Sequence, residues 1–133
     1  MKAKDLIPSV SGVHLVFLYD HKELYFEVYL YNAKEDIMEG IIVTSVGYFQ
    51  QDHATPITRT ATLRHSLEVL LPGEYAKIET LMPEVFSLYN EFWVSFWINE
   101  VLYDKKFTFL PDSIRVSELQ ELSRFGKKGL ILS

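Results

Sequence analysis

Residues that could carry catalytic or metal-binding chemistry are few in this chain, and they are scattered along it. The four histidines are His14, His21, His53 and His65. No two of them are two or four residues apart, the spacings that bring two imidazoles to one metal ion. The nearest approach to a site is His53 beside Asp52, in a stretch whose composition is typical of a loop. We expect both side chains to be solvated, and the sequence predicts no metal site.

The sequence also contains no motif typical of a catalytic nucleophile or of a phosphate-binding loop. Cysteine is absent, which excludes a disulfide framework, a thiolate metal site and a cysteine nucleophile. No serine lies in a G-x-S-x-G elbow, and the six glycines form neither a P-loop nor a G-x-G-x-x-G pattern. Acyl transfer and phosphoryl transfer therefore find no support.

Paired carboxylates are the remaining catalytic chemistry, because two of them can support glycoside hydrolysis. The acidic candidates stand at turns or on outward strand positions, where solvation suits them; they are Glu74, Glu79, Glu84, Glu91, Glu100 and Asp104. We therefore predict that the protein is not an enzyme and that it uses no cofactor.

Charge and composition exclude further classes of protein. The chain has 133 residues, with 13 basic and 18 acidic side chains, so its formal net charge is −5. That sign argues against a nucleic-acid binder, which needs a basic face. No apolar run approaches the ~18 residues of a membrane helix, and Asp5, Pro8 and Ser9 interrupt the segment where a signal peptide would be apolar. We expect a cytoplasmic protein without membrane or nucleic-acid partners.

The elements that must position any site are strands, because the dominant hydrophobic period is two. The segment Ile57–Leu71 exceeds a usual strand, so we expect a break near Arg64–Ser66. Seven segments are predicted as strands: Val13–Tyr19, Glu23–Asn32, Ile41–Gln50, Ile57–Leu71, Tyr75–Leu81, Glu91–Ile98 and Val101–Leu110. Six phenylalanines fall on their inner faces: Phe17, Phe26, Phe92, Phe96, Phe107 and Phe109.

Strand count and turn spacing predict a single antiparallel β-sandwich over residues 1–112, immunoglobulin-like and of about seven strands, with a small β-barrel as the alternative. Residues 113–133 are predicted to form a short helix and an apolar tail. Ser117 begins a capping box, an apolar stripe comes after it, and Gly126 suits the end of the helix.

Two features favour a binding role. Aromatic side chains share the outward faces of two predicted strands, and the chain ends in an apolar tail; these residues are Tyr25, Tyr29, Tyr31, Trp93 and Trp97, together with Leu130, Ile131 and Leu132. The aromatic faces could be covered by the chain itself as a second small core, by a partner, or by a sugar. The tail could add a strand to its own sheet or to that of another subunit.

These features predict a non-enzymatic protein-interaction module, an adaptor or accessory subunit of a larger intracellular assembly that binds a protein partner or self-associates. One alternative is a carbohydrate-binding sandwich in which Trp93 and Trp97 stack on sugar rings. The other is a small barrel that encloses an apolar ligand.

Overall fold

The computed structural model describes residues 10–49, 52 and 54–133, and this part of the chain is all-β. The predicted all-β class is confirmed. His53 and the segment with Asp5, Pro8 and Ser9 lie outside the described residues.

The strands are β1 (Val13–Asp20), β2 (Tyr25–Asn32), β3 (Met38–Phe49), β4 (Thr58–Arg59), β5 (Leu63–Leu70), β6 (Tyr75–Leu81), β7 (Tyr89–Ile98), β8 (Val101–Phe109), β9 (Gln120–Leu122) and β10 (Lys127–Leu132). Short 3₁₀ helices span Pro83–Ser87 and Val116–Glu118.

The strands form two antiparallel sheets, an arrangement consistent with a β-sandwich. The first sheet has the order β6-β2-β1-β10-β9. In the second sheet β4, β3, β7 and β8 are neighbours in that order, and β5 also pairs with β3. Neither sheet closes on itself, because among the described strands β6, β9 and β8 each have one paired neighbour. The alternative of a small barrel is therefore wrong.

The core between the sheets obeys the period-two pattern of the sequence. The six phenylalanines predicted on inner faces are all buried, as expected. Phe17 of the first sheet lies edge-on to Phe92 and Phe109 of the second, with ring centroids 6.0 and 5.7 Å apart. The first 3₁₀ helix adds Phe86 to the same cluster. Burial of these rings holds the two sheets together.

Polar contacts join the sheets where the sandwich opens at its edges. Lys105 interrupts an inner face of the sequence pattern, and it lies on the outermost strand β8, where such a residue is expected. Its Nζ atom donates a hydrogen bond of 3.1 Å to the backbone carbonyl of Val13 in the first sheet. Burial lowers the pKa of this amine. At another edge the Ser45 hydroxyl of β3 donates to the carboxylate of Glu79 in β6, at 2.9 Å.

The carboxyl-terminal segment differs from the predicted helix. Residues 120–132 form the hairpin β9–β10 instead. A helix of two turns is marginal without tertiary support, whereas β10 pairs along β1, with Leu132 opposite Leu15 and Gly129 opposite Leu18. The prediction of a short helix is therefore wrong, and the apolar tail docks on its own sheet.

Two interruptions between strands differ in how well the sequence pattern predicts them. Gly73 adopts a φ of +79° after Pro72, a turn conformation that glycine accepts at no steric cost. The long segment after the third strand breaks at residues 60–62, between β4 and β5, which is earlier than the expected Arg64–Ser66. The sequence pattern therefore places the connection between β5 and β6 to within one residue, whereas the break inside the long predicted segment lies earlier than expected.

Candidate functional site

The outward tyrosines of β2 are engaged within the chain. The Tyr29 hydroxyl donates a short hydrogen bond of 2.6 Å to Glu27, and the Tyr25 hydroxyl donates a longer one of 3.4 Å to the same carboxylate. Burial, together with the bond to Glu27, raises the pKa of Tyr29 to about 12. These hydroxyls position Glu27 on the face of the first sheet.

Tyr31 belongs to a second small core on the outer face of the first sheet. Its ring is 8% exposed and clusters with Val16 and Leu18. The turn between β9 and β10 covers it, because Phe125 lies edge-on at 6.0 Å and the Arg124 guanidinium stands 4.7 Å from the ring centroid. Cover by the chain itself, one of the alternatives, therefore applies to Tyr31, and Tyr29 packs against the same small core.

The side chains of the apolar tail alternate between the inner and the outer face of the first sheet. Leu130 and Leu132 are half-buried and pack on the main core, while Ile131 points outward and is exposed. The backbone of β10 pairs with the edge of β1. The tail is therefore the fourth strand of its own sheet.

Trp93 and Trp97 remain exposed on the outer face of the second sheet. Their exposed fractions are 44% and 45%, and the four-residue spacing on β7 separates them by roughly 13 Å along the strand. Ser95 lies between them. We call their surface the tryptophan face, which consists of Ile42, Thr44, Trp93, Ser95, Trp97 and Leu102.

A charged pair lies beside Trp93, with Lys106 on the neighbouring strand β8 and Glu91 on β7 itself. The Lys106 amine lies 5.4 Å from the indole centroid, within cation–π range. The same amine forms an ion pair of 3.1 Å with Glu91. This chain therefore supplies both a cation over the Trp93 ring and a carboxylate paired with that cation.

Trp97 lies against the backbone of β3 at an irregularity in pairing. The register of β3 with β7 shifts between Glu39 and Ile42, and Gly40 in this interval has a φ of +54°. A β-carbon on Gly40 would stand 3.2 Å from the indole Cδ1 of Trp97, so glycine leaves the space that the ring occupies. A hollow of about 390 Å³ opens beside the ring; Glu39, Gly40, Trp97 and Glu100 line it, and we call it the acidic hollow.

The turn between β7 and β8 places Glu100 at this hollow. Asn99 and Glu100 have φ values of +47° and +66°, as a two-residue type I′ hairpin requires. The predicted strands Glu91–Ile98 and Val101–Leu110 leave the same two residues between them, and Ile98 pairs with Val101. Glycine is favoured at such positions, so a glutamate is held here in a conformation that L residues adopt at a cost.

Asp104 adds a carboxylate on the same face. It pairs with Ser95, between the positions of the two tryptophans. Its Oδ1 atom is shielded from solvent and accepts no hydrogen bond from any described residue. Alternation alone predicts Asp104 and Glu100 as solvated surface acids, and the strand register is what brings them beside the indoles.

Glu79 departs most clearly from its predicted position, because it is half-buried between the sheets. Alternation places it outward, but β6 bulges against β2, so that Lys77 pairs with Tyr29 and Glu79 with the inward-facing Val28. A bulge of one residue reverses the direction in which the subsequent side chains of the strand point. Burial raises the pKa of Glu79, while the Ser45 hydroxyl partly opposes the shift by donating to both carboxylate oxygens at 2.9 and 3.1 Å.

The cleft at Glu79 is small and largely apolar. Its two adjoining parts have volumes of about 160 and 240 Å³, with Leu63 and Phe92 lining both. Among the described residues no three His, Asp or Glu side chains come together as a metal site would need. The described part of the chain also contains no helix of the length and apolarity that crossing a bilayer requires.

Comparison with known proteins adds no identification. No protein-family model matches the chain, and no curated protein matches it.

Proposed function

We propose that this protein is a non-enzymatic interaction module, an adaptor or accessory subunit of a larger intracellular assembly, and that the tryptophan face binds its partner. The observation that carries the proposal is the pair of outward indoles, each more than two-fifths exposed on one side of β7. Tryptophan is enriched among the residues that dominate binding energy at interfaces. The proposed surface leaves out Tyr31 and the tail, because this chain already packs them.

The proposed partner is another protein with a basic contact region, in preference to a second copy of this chain. A symmetric dimer would set the same patch against itself, so Glu39 and Glu100 of each copy would meet an acidic rim. The net charge of −5 adds to this repulsion. A mass near that of the monomer in light scattering agrees with this choice, whereas a dimer lost on changing Trp97 would favour self-association.

We also infer an immunoglobulin-like arrangement for the sandwich. Support comes from the neighbours β6-β2-β1 in one sheet and β5-β3-β7-β8 in the other. These correspond to strands E-B-A and C′-C-F-G of that architecture, with β10 as an addition beside the first strand.

A carbohydrate-binding module is the second candidate, favoured by the two indoles on one side of a sheet. Stacked sugar rings would use the same Trp93 and Trp97 surfaces. A glycan array distinguishes the two candidates, because the protein-interaction proposal expects no specific sugar to bind.

The test of the proposal compares two variants in quantitative capture from native lysate. The double variant Trp93→Ala/Trp97→Ala removes the indoles, and Ile131→Ala removes an equally exposed side chain from the opposite sheet. The partner enriched by the parent protein is then purified and its affinity measured by calorimetry. We expect the double variant to bind at least about tenfold more weakly, and Ile131→Ala to bind like the parent.

A partner that binds the folded double variant with unchanged affinity would overturn the proposal. Circular dichroism of each variant confirms that the sheets remain formed, so that a loss of binding is not a loss of folding.

A further inference from the structure

We propose that the acidic hollow beside Trp97 binds an arginine or lysine side chain of the partner, which places the cation against the indole and between carboxylates. This inference rests on the proposed function, since it names the chemistry of what the tryptophan face recognises.

The two tryptophans of the face differ in one respect. Trp93 has an indole, a cation and a carboxylate together, because Lys106 lies over the ring and pairs with Glu91. Trp97 has the indole and the carboxylates, but no described lysine or arginine forms an ion pair with Glu39 or Glu100. The arrangement completed within the chain at Trp93 is completed at Trp97 by the partner.

The geometry of the hollow suits an inserted side chain. Glu39 pairs with Trp97 across β3 and β7, and Gly40 keeps the adjacent floor free of a side chain. Glu100 borders the hollow from the hairpin turn. A guanidinium or ammonium within about 6 Å of the ring centroid gains from the indole quadrupole, and a carboxylate beside it adds charge attraction.

The electrostatics around Trp97 point the same way. Asp104 pairs with Ser95, so it is a diagonal neighbour of both Trp97 and Trp93 across the β7–β8 ladder. Its Oδ1 atom is shielded from solvent and accepts no hydrogen bond from the described residues. A partner cation at Trp97 would bring a positive charge to this side of the carboxylate.

The backbone conformation of Glu100 allows a substitution that removes its carboxylate without disturbing the hairpin. Glycine is favoured at its position, because φ is +66° there. Glu100→Gly should therefore keep or strengthen the hairpin while it removes one carboxylate from the hollow.

The experiment uses the two indole N–H signals of the full chain in proton–nitrogen correlation spectra, assigned with Trp93→Phe and Trp97→Phe. The probe is N-acetyl-arginine methylamide, and the control is N-acetyl-citrulline methylamide, which has nearly the same shape but no charge. We expect a saturable shift of the Trp97 signal with the arginine probe and a much smaller one with citrulline. Glu100→Gly and Glu39→Gln should each weaken arginine binding by about two- to fivefold.

Equal shifts with both probes, a shift confined to Trp93, or no shift at all would overturn the inference. So would an arginine affinity unchanged in both glutamate variants. These outcomes leave the proposed function standing if capture of the partner still depends on Trp93 and Trp97. Conversely, loss of that dependence overturns the proposed function, while the titration still reports whether the hollow accepts a cation.

Discussion

Glu79 is a carboxylate that the fold holds half-buried at the edge between the two sheets. Its only hydrogen-bond donor among the described side chains is the Ser45 hydroxyl, and burial raises its pKa. Well below the ordinary pKa of 4.5 the group is protonated in both the folded and the unfolded chain. As the pH rises above that value the unfolded chain ionises first, so the free energy of unfolding falls until the folded-state pKa is passed.

Glu79→Gln should remove this pH dependence, because the amide stays neutral and still accepts from Ser45. We expect the variant to gain stability over the parent as the pH is raised from 4.5 towards neutrality, measured by urea unfolding at several pH values. Glu121→Gln, on an exposed strand position, controls for the loss of one negative charge. A stability difference that is the same at every pH would contradict the account of Glu79.

At the scale of the elements, the hairpin β9–β10 decides how the outer face of the first sheet is covered. It pairs along β1 and carries Phe125 onto Tyr31. Gly129 is central to this pairing, because a β-carbon there would overlap the backbone carbonyl of Phe17. Only glycine allows the two strands to approach so closely.

Gly129→Ala should therefore separate β10 from β1 and lower the free energy of unfolding by more than about 2 kcal/mol. Lys128→Ala, at the exposed neighbouring position, is the control and should change it by less than about 0.5 kcal/mol. Hydrogen exchange should show faster exchange along β10 in the glycine variant alone. Full protection of β10 in Gly129→Ala would show that the strand does not depend on this close approach.

The same hairpin shows why some elements could be predicted from the sequence and others could not. Period-two alternation is local, so it predicted the long strands and their buried phenylalanines. The capping signal at Ser117 is also local, but the pairing of Leu132 with Leu15 joins distant parts of the chain and overrides it. Likewise, alternation gives no sign of the bulge that turns Glu79 inward. Alternation was enough to place both indoles on an outward face, whereas the acidic hollow depends on strand register.

At the scale of the whole molecule, the outer faces of the two sheets differ in how their aromatic side chains are packed. The six phenylalanines of the strand pattern fill the space between the sheets, and Tyr31 on the outer face of the first sheet lies under the chain's own hairpin. Trp93 and Trp97 are exposed on the outer face of the second sheet, and Glu39 and Glu100 line the hollow beside Trp97. This asymmetry between the two outer faces is what makes the second sheet the proposed binding side.

The central claim is that a partner covers the tryptophan face, and fluorine NMR tests it most directly. Protein labelled with fluorotryptophan should give two signals, since the chain contains two tryptophans. A soluble paramagnetic reagent should broaden both signals in the free protein. We predict that the captured partner protects Trp93 and Trp97 from this broadening. Equal broadening in the free protein and in the complex would contradict the account.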